Sequence, residues 1–239
     1  MVKKLFLRPS GPKDADAVID FYADNPHQYV YQRAADVLRE RVESGAVMMI
    51  VDEDDKIMAT AISYPLITKD AAGSDVHDWS EIGSVRVALG ETGLFKPLVS
   101  ALVLNSWLFE PPGDRFVIEI AKNNAHSRHV FAKEGATPFN IPPELEKKVA
   151  GTLEPGTTQM SVDWFQFGPE AMPGFAANLL SIEENPSLVN KKTGEEFVFD
   201  VSGCALFSRF HDILEKLSHM DYGDAAQPDF SRKLRHLKP

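Results

Sequence analysis

A single cysteine, Cys204, stands in 239 residues. No intrachain disulfide can form, and no paired-cysteine metal spacing exists. Long apolar runs are missing as well. The longest, Leu98 to Phe109, is interrupted by Ser100, Asn105 and Ser106 and falls short of the ~20 residues that a bilayer requires. The opening Met-Val-Lys-Lys-Leu-Phe-Leu-Arg-Pro is charged but has no apolar stretch and no small-residue cleavage site. These absences lead us to expect a reducing, cytoplasmic setting without membrane contact. Basic residues are in the minority: 25 Lys and Arg against 35 Asp and Glu leave a net charge of −10. Nucleic acid would meet long-range repulsion, with no basic cluster interleaved with aromatics to offset it. The locally basic Arg232 to Lys238 reads as a solvated terminus. The acidic surface either draws in cationic amines or is simply well solvated.

Several chemistries lack their residues. There is no Gly-x-Ser-x-Gly elbow, no Walker lysine loop and no His-Glu-x-x-His. His126 and His129 stand three apart on an expected helix, where two exposed surface histidines are the plainer reading than a metal pair. Cys204, beside Gly203 and an apolar helix face, reads as core. No resident metal is expected.

What is present is enough apolar material, 44% of the chain, to build a core. The pattern predicts a strand over Lys3–Arg8, helices over Asp14–Ala23 and Arg33–Ser44, and a hairpin, Ala46–Val51 and Ile57–Tyr64, around an acidic turn. After a polar loop over Lys69–Asp78, a strand over Glu81–Leu89 runs through Gly90-Glu91-Thr92-Gly93 into an amphipathic helix that ends at Pro111-Pro112-Gly113. A strand over Phe116–Ala121, a helix over Ala125–Glu134, a short strand near Thr137–Ile141 and a strand over Gln159–Phe167 follow. This alternation predicts a layered α/β domain over residues 1–167. Residues 168–239 form an α-hairpin-α extension, expected to pack on that domain or on a second subunit; its last helix spans Cys204–His219.

Two stretches carry chemistry. In the first, Glu81-Ile-Gly-Ser-Val-Arg-Val-Ala-Leu-Gly-Glu-Thr-Gly-Leu-Phe, a strand runs into a glycine turn at a helix N-terminus. Free backbone N–H groups and the helix dipole can hold a phosphate there, although such a turn is often only a tight connection. The second runs from Ile120 to Ala136, with Asn124 as N-cap and Gly135 as stop.

The order of elements and these two stretches resemble the GNAT acyl-CoA N-acyltransferase superfamily, with its mixed central sheet flanked by helices. The string Asn-Ala-x-Ser-x-x-Val-Phe-x-Lys-x-Gly-Ala, from Asn124 to Ala136, is similar to the second cofactor-side motif of that family. The first stretch resembles its pyrophosphate loop in degenerate form, with Glu91 at a glycine place, Ala88 at a basic place and Pro97 early in the helix. The resemblance implies binding of acetyl-CoA and an amine acceptor, with a homodimer as an option. It implies that Val85, Arg86 and Val87 flank the pantetheine arm and that the amides of Thr92, Gly93, Leu94, Phe95 and Lys96 hold the diphosphate. Asn124, Ser127 and Phe131 would line the far side of the cleft. Phe131 occupies a region where many members place an acidic tyrosine, so Tyr64 or Ser127 would have to substitute, or the thiolate leaves unprotonated.

An ammonium substrate must lose a proton before attack, so a general base is needed. Period-two alternation would set Glu81, Gly83, Val85 and Val87 on one face, with Glu81 beside the acyl-CoA arm. Glu119 sits in an apolar strand, where burial raises a carboxyl pKa. Glu81 and Glu119 are the candidate bases, with His77, a water chain or no base as alternatives. A non-catalytic acyl-CoA-binding or assembly module is the rival to an acetyl-CoA-dependent N-acetyltransferase.

Overall fold

Leu5 and Leu7 alternate with polar neighbours along β1 (Lys3–Pro9), and both are fully buried in the computed structural model. The structure describes residues 2–69, 72–88, 92–109, 115–151, 153, 156, 157 and 160–220, without the side chains of 76–78. Outside the described residues lie Gly90 and Glu91 of the loop, the expected Pro111-Pro112-Gly113 stop, the side chain of His77, and Arg232 to Lys238.

A short 3-10 turn follows β1 and leads into α1 (Ala15–Asp24) and then α2 (Ala35–Glu43), which ends at Gly45 with φ 74°. β2 (Val47–Asp52) and β3 (Ile57–Lys69) form the expected hairpin, and β4 (Asp75–Val87) returns along β3. The polar loop expected over Lys69–Asp78 is mostly strand, since β3 and β4 stay paired out to Lys69 and Asp75. α3 (Phe95–Phe109), β5 (Arg115–Ala121), α4 (Ala125–Lys133) and the two-residue β6 (Thr137–Pro138) come next. α5 (Pro143–Ala150) was not expected: only Leu145 and Val149 of its residues are buried, too few apolar positions for a readable period. The order closes with β7 (Val162–Phe167), α6 (Met172–Glu184), β8 (Ser187–Val189), β9 (Glu196–Asp200), α7 (Ala205–Ser208) and α8 (Phe210–Ser218). The last two replace the single helix expected over Cys204–His219; Arg209, at φ −111° and ψ 21°, separates them.

The nine strands among the described residues join one mixed sheet in the order β6-β7-β5-β4-β3-β2-β1-β9-β8. β1 to β4 are antiparallel neighbours, whereas β4 and β5 run parallel with α3 as their crossover. One face carries α3, α4, α6 and α8; the other carries α1 and α2. α3 is not amphipathic. Every residue from Pro97 to Trp107 is buried, because α6 lies over the side that would otherwise meet water. Pro97 is the third residue of α3, where its missing N–H would have no intrahelical acceptor.

The C-terminal elements continue this sheet. β9 pairs in parallel with β1, and Lys4 Nζ lies 2.8 Å from Asp200. Phe197, Leu206, Phe210 and Leu214 share one core cluster with Leu5, Leu7 and Leu102. The β8–β9 turn is organised by Asn190, which is 0% exposed. Its side-chain oxygen accepts from the Thr92 hydroxyl at 2.7 Å and from the amides of Lys192 at 3.0 Å and Thr193 at 3.4 Å.

Asn190→Ala removes the shared acceptor of one part-buried hydroxyl and two amides, each bond contributing about 0.5–1.5 kcal/mol. Urea denaturation should show a loss of about 2–3 kcal/mol, and a loss below 0.5 kcal/mol would show that the turn tolerates unpaired donors.

Candidate active site

β4 and β5 pair at only three positions, Trp79 with Arg115, Ser80 with Phe116 and Glu81 with Val117. Past Glu81 the two strands separate. The cause sits on the other edge of β4, where the register against β3 slips between Thr60 and Ile62 so that Ser84 and Val85 together oppose Ala61. Ser84 takes the bulge conformation at φ 51°, a left-handed geometry that costs a non-glycine residue about 1–3 kcal/mol. Two buried tyrosines hold it. The Tyr22 hydroxyl donates to the Ser84 carbonyl at 2.5 Å, and the Tyr64 hydroxyl shares a hydrogen bond of 2.9 Å with the Ser84 hydroxyl.

The extra residue reverses the alternation of everything after it. Glu81 and Gly83 lie on the α1–α2 face, against Arg33 and Tyr64. Val85 and Val87 pack with Ile82 in the core on the α3 side. The expectation that Glu81, Gly83, Val85 and Val87 share a face is therefore corrected: the bulge divides them. The side chain of Arg86, expected along the acyl-CoA arm, turns instead to the α1–α2 side, where the Tyr22 hydroxyl acts on its charge.

Between the splayed strands lies a cleft of about 610 Å³. Ile82 to Val87 of β4 and Ile118 to Ala121 of β5 form its walls, and Tyr29, Tyr31 and Arg33 from the α1–α2 connection close one side. Thr92, Gly93, Phe95, Asn124, Ser127 and Phe131 line the other side, together with Lys192 from the β8–β9 turn. Two expected residues do not reach it with their side chains: Leu94 is fully buried in the core, and Lys96 turns toward Glu134 at 3.8 Å. Asn124 is the N-cap of α4 and accepts from the Ser127 amide at 3.1 Å. Phe131 stacks edge-on against Phe95 at 5.0 Å. Gly93 has φ 85°, and a Cβ there would meet Leu188 of β8 at 3.0 Å. His126 and His129 are exposed, and Cys204 is buried.

The floor of the cleft is electrostatic. Glu81 is 2% exposed and accepts from Arg33 Nη2 at 2.6 Å, while its Oε2 has no hydrogen-bond partner among the described residues. Burial pushes the Glu81 carboxyl above its ordinary value, and Arg33 pulls it part of the way back. Burial also works against the Arg33 charge, yet Glu81 beside it holds the guanidinium above its usual value. Arg33 stacks over the Tyr64 ring at 4.5 Å. Gly83 makes room for this arrangement: a Cβ would sit 2.6 Å from Glu81 Oε1.

Glu119 is only partly buried and opens on the cleft. Burial first, and the Glu81 charge second, push its pKa up to about 7. Arg33 and a hydrogen bond from Tyr31 act in the opposite sense. Tyr64 does not line the cleft, and burial pushes its hydroxyl up to about 12. Neither Arg33, the first residue of the expected helix over Arg33–Ser44, nor Tyr31 just before it was singled out in the sequence; the helix begins instead at Ala35. The only local signal was the aromatic density of Tyr29-Val30-Tyr31.

The sequence matches no family model and no curated protein. Solved structures do match. Rv2747 from Mycobacterium tuberculosis, determined in complex with CoA, is 15% identical with a TM-score of 0.50, over 68% of this chain and 98% of that one. A diaminobutyrate acetyltransferase from Paenibacillus lautus is 14% identical with a TM-score of 0.48, over 70% and 96%. An acetyltransferase of the GNAT family from Streptococcus pneumoniae is 12% identical with a TM-score of 0.47, over 68% and 98%. The likeness is one of fold: a GNAT-like mixed central sheet flanked by helices.

Arg33→Met leaves the Glu81 carboxylate buried beside no cation, and stability at about pH 8 should fall by about 3–5 kcal/mol. A carboxyl whose folded pKa is raised keeps its proton after the unfolded chain has released it, so stability declines as pH climbs past the unfolded value. The deficit should therefore shrink toward about pH 5. Urea melts of both proteins at the two pH values measure this, and an equal deficit at both would remove the ionised pair from the explanation.

Proposed function

Proceeding from a GNAT fold, we propose that this chain is an acyl-CoA-dependent N-acyltransferase. It moves an acetyl group from acetyl-CoA to the amine of a small molecule or peptide by direct attack in a ternary complex. The observation that carries this reading is a carboxylate of near-neutral pKa, Glu119, set beside an opened backbone edge between two parallel strands.

Each part of the cleft has a task. The β4 main chain at Val85 and Val87, past the last β5 pair, pairs with the amides of the pantetheine arm as an added strand would. The amides of the turn at Gly93 and the first turn of α3 receive the diphosphate, with Lys192 adding charge at that end. The thioester supplies an activated carbonyl carbon. Glu119 takes a proton from the acceptor ammonium, so that the nitrogen lone pair is free to attack. Arg33 and Glu81 position that step: their mutual charges fix both side chains, and Glu81 keeps Glu119 a strong enough base. With Phe131 at the family's tyrosine region, the CoA thiolate leaves without a tyrosine donor and takes its proton from water.

One observation favours the rival, a non-catalytic acyl-CoA-binding module. Ala88 and Glu91 stand where the resembled loop has a basic residue and a glycine. Binding without turnover is what that module would show. A ligand at one hundred times its Kd adds about 2.7 kcal/mol of stability, so thermal shifts with acetyl-CoA and CoA, beside thiol release over an amine panel, separate the two.

A base acts only when ionised, so wild-type kcat/KM should rise with pH through about 7. The acceptor amine adds its own limb at higher pH. Glu119→Gln should cut turnover by about 10²- to 10⁴-fold, remove the lower limb and leave acetyl-CoA affinity in place. Glu81→Gln takes away a charge that raises the Glu119 pKa, so the limb should move to lower pH rather than vanish. The reverse pattern would make Glu81 the base.

The same raised pKa has a stability consequence. The folded protein holds a proton on Glu119 between the unfolded value of 4.5 and about 7, so the wild type loses stability as pH rises across that window. Glu119→Gln should consequently melt higher than wild type at about pH 8 and no higher at about pH 4.

A further inference from the structure

Most of the charged groups lining the cleft already have a partner or a task. Arg33 is paired with Glu81, Glu119 is the proposed base, and Lys192 stands at the diphosphate end. Arg86 has neither. It is 6% exposed, and its Nε is buried with no hydrogen-bond partner. Among the described residues no carboxylate acts on it, and the Tyr22 hydroxyl is its one electrostatic neighbour.

Such a group is costly. A buried donor without an acceptor costs about 1–3 kcal/mol, and a guanidinium does not escape by losing its proton. A methionine or leucine would serve packing better at that position. The bulge at Ser84 sends Val85 and Val87 to the α3 side, where the pantetheine arm would run, and Arg86 to the α1–α2 side with Glu81. Residues of the α1–α2 connection close that side of the cleft.

We infer that Arg86 anchors a carboxylate of the acceptor, so that the amine substrate is an amino acid or another amine that carries a carboxylate. This rests on the N-acyltransferase reading. A single unpaired guanidinium matches a singly charged carboxylate, whose two oxygens fit its fork of donors. A phosphate would bring a second negative charge into a cleft already holding Glu81 and Glu119. Glu119 receives the ammonium end, and Arg86 fixes the other.

The test uses the full chain, acetyl-CoA and matched acceptors that differ only by the carboxylate: lysine and cadaverine, ornithine and putrescine, phenylalanine and phenethylamine. O-Phosphoethanolamine serves as the phosphate arm. Thiol release should give a KM at least tenfold lower for the carboxylate member of the best pair. Arg86→Gln should abolish that preference while the acetyl-CoA Kd, read by calorimetry, stays within twofold. No preference in the wild type, stronger use of O-phosphoethanolamine, or weakened acetyl-CoA binding in Arg86→Gln would each overturn the inference.

If no amine yields thiol, the acyltransferase reading has failed, and the carboxylate site is then measured alone. Thermal shifts with N-acetyl amino acids, against their N-acetyl amine counterparts, should be present in the wild type and absent in Arg86→Gln; no Arg86-dependent shift overturns it. Arg86→Met keeps the bulk of the alkyl stem and should melt at or above the wild-type temperature without ligand. A clear drop would mean that the charge serves folding, against the inference.

Discussion

The arrangement depends on one inserted residue in one strand. Ser84 holds a left-handed backbone inside β4, and the register beyond it is shifted by one. Two consequences follow from that geometry. β4 bends away from β5 after three paired positions, which opens the cleft, and the side chains after the bulge exchange faces. The strain is held by tyrosines from two other elements, Tyr22 of α1 and Tyr64 of β3, both fully or almost fully buried. The cleft thus inherits the rigidity of the core on either side of it, as a preorganised site requires.

Within the cleft, Glu81, Glu119 and Arg33 set one another's charge states through their environments. Glu81 is enclosed and paired, so its charge serves its neighbours. Glu119 is partly open and feels both burial and the Glu81 charge, which sets its pKa near neutrality. Gly83 belongs to this arrangement, because any side chain there would occupy the volume of the Glu81 carboxylate.

The C-terminal elements contribute to the site as well as to the sheet. The β8–β9 turn is tied to Thr92 through the buried Asn190, Leu188 packs against Gly93, and Lys192 reaches the cleft wall. The loop before α3 departs from the pattern it resembles at Ala88 and Glu91. The β8–β9 turn stands beside this loop, with the Lys191 amide donating to the Thr92 hydroxyl at 3.2 Å.

Much was legible in the chain itself. Apolar spacing located most strands and helices, because period two and period 3.6 survive in any sequence that buries one face. Asn124 and Gly135 marked their helix by local capping chemistry, and Glu119 stood out as an acid within an apolar strand. Burial of Cys204 and exposure of His126 and His129 followed from the same patterns. Hidden were the features that depend on partners distant in sequence. The full burial of α3 needed α6 across it, and α5 had too few apolar positions to announce itself. The pairing of Arg33 with Glu81 spans 48 residues. The bulge could not be read, since Ser84 has no residue-level signal for positive φ, and alternation counted through it gives the wrong face for Val85 and Val87. Local chemistry therefore determined the elements and the candidate acids. Only the tertiary structure decided which side of the sheet each one faces, because a single residue of register moves every later side chain to the opposite layer.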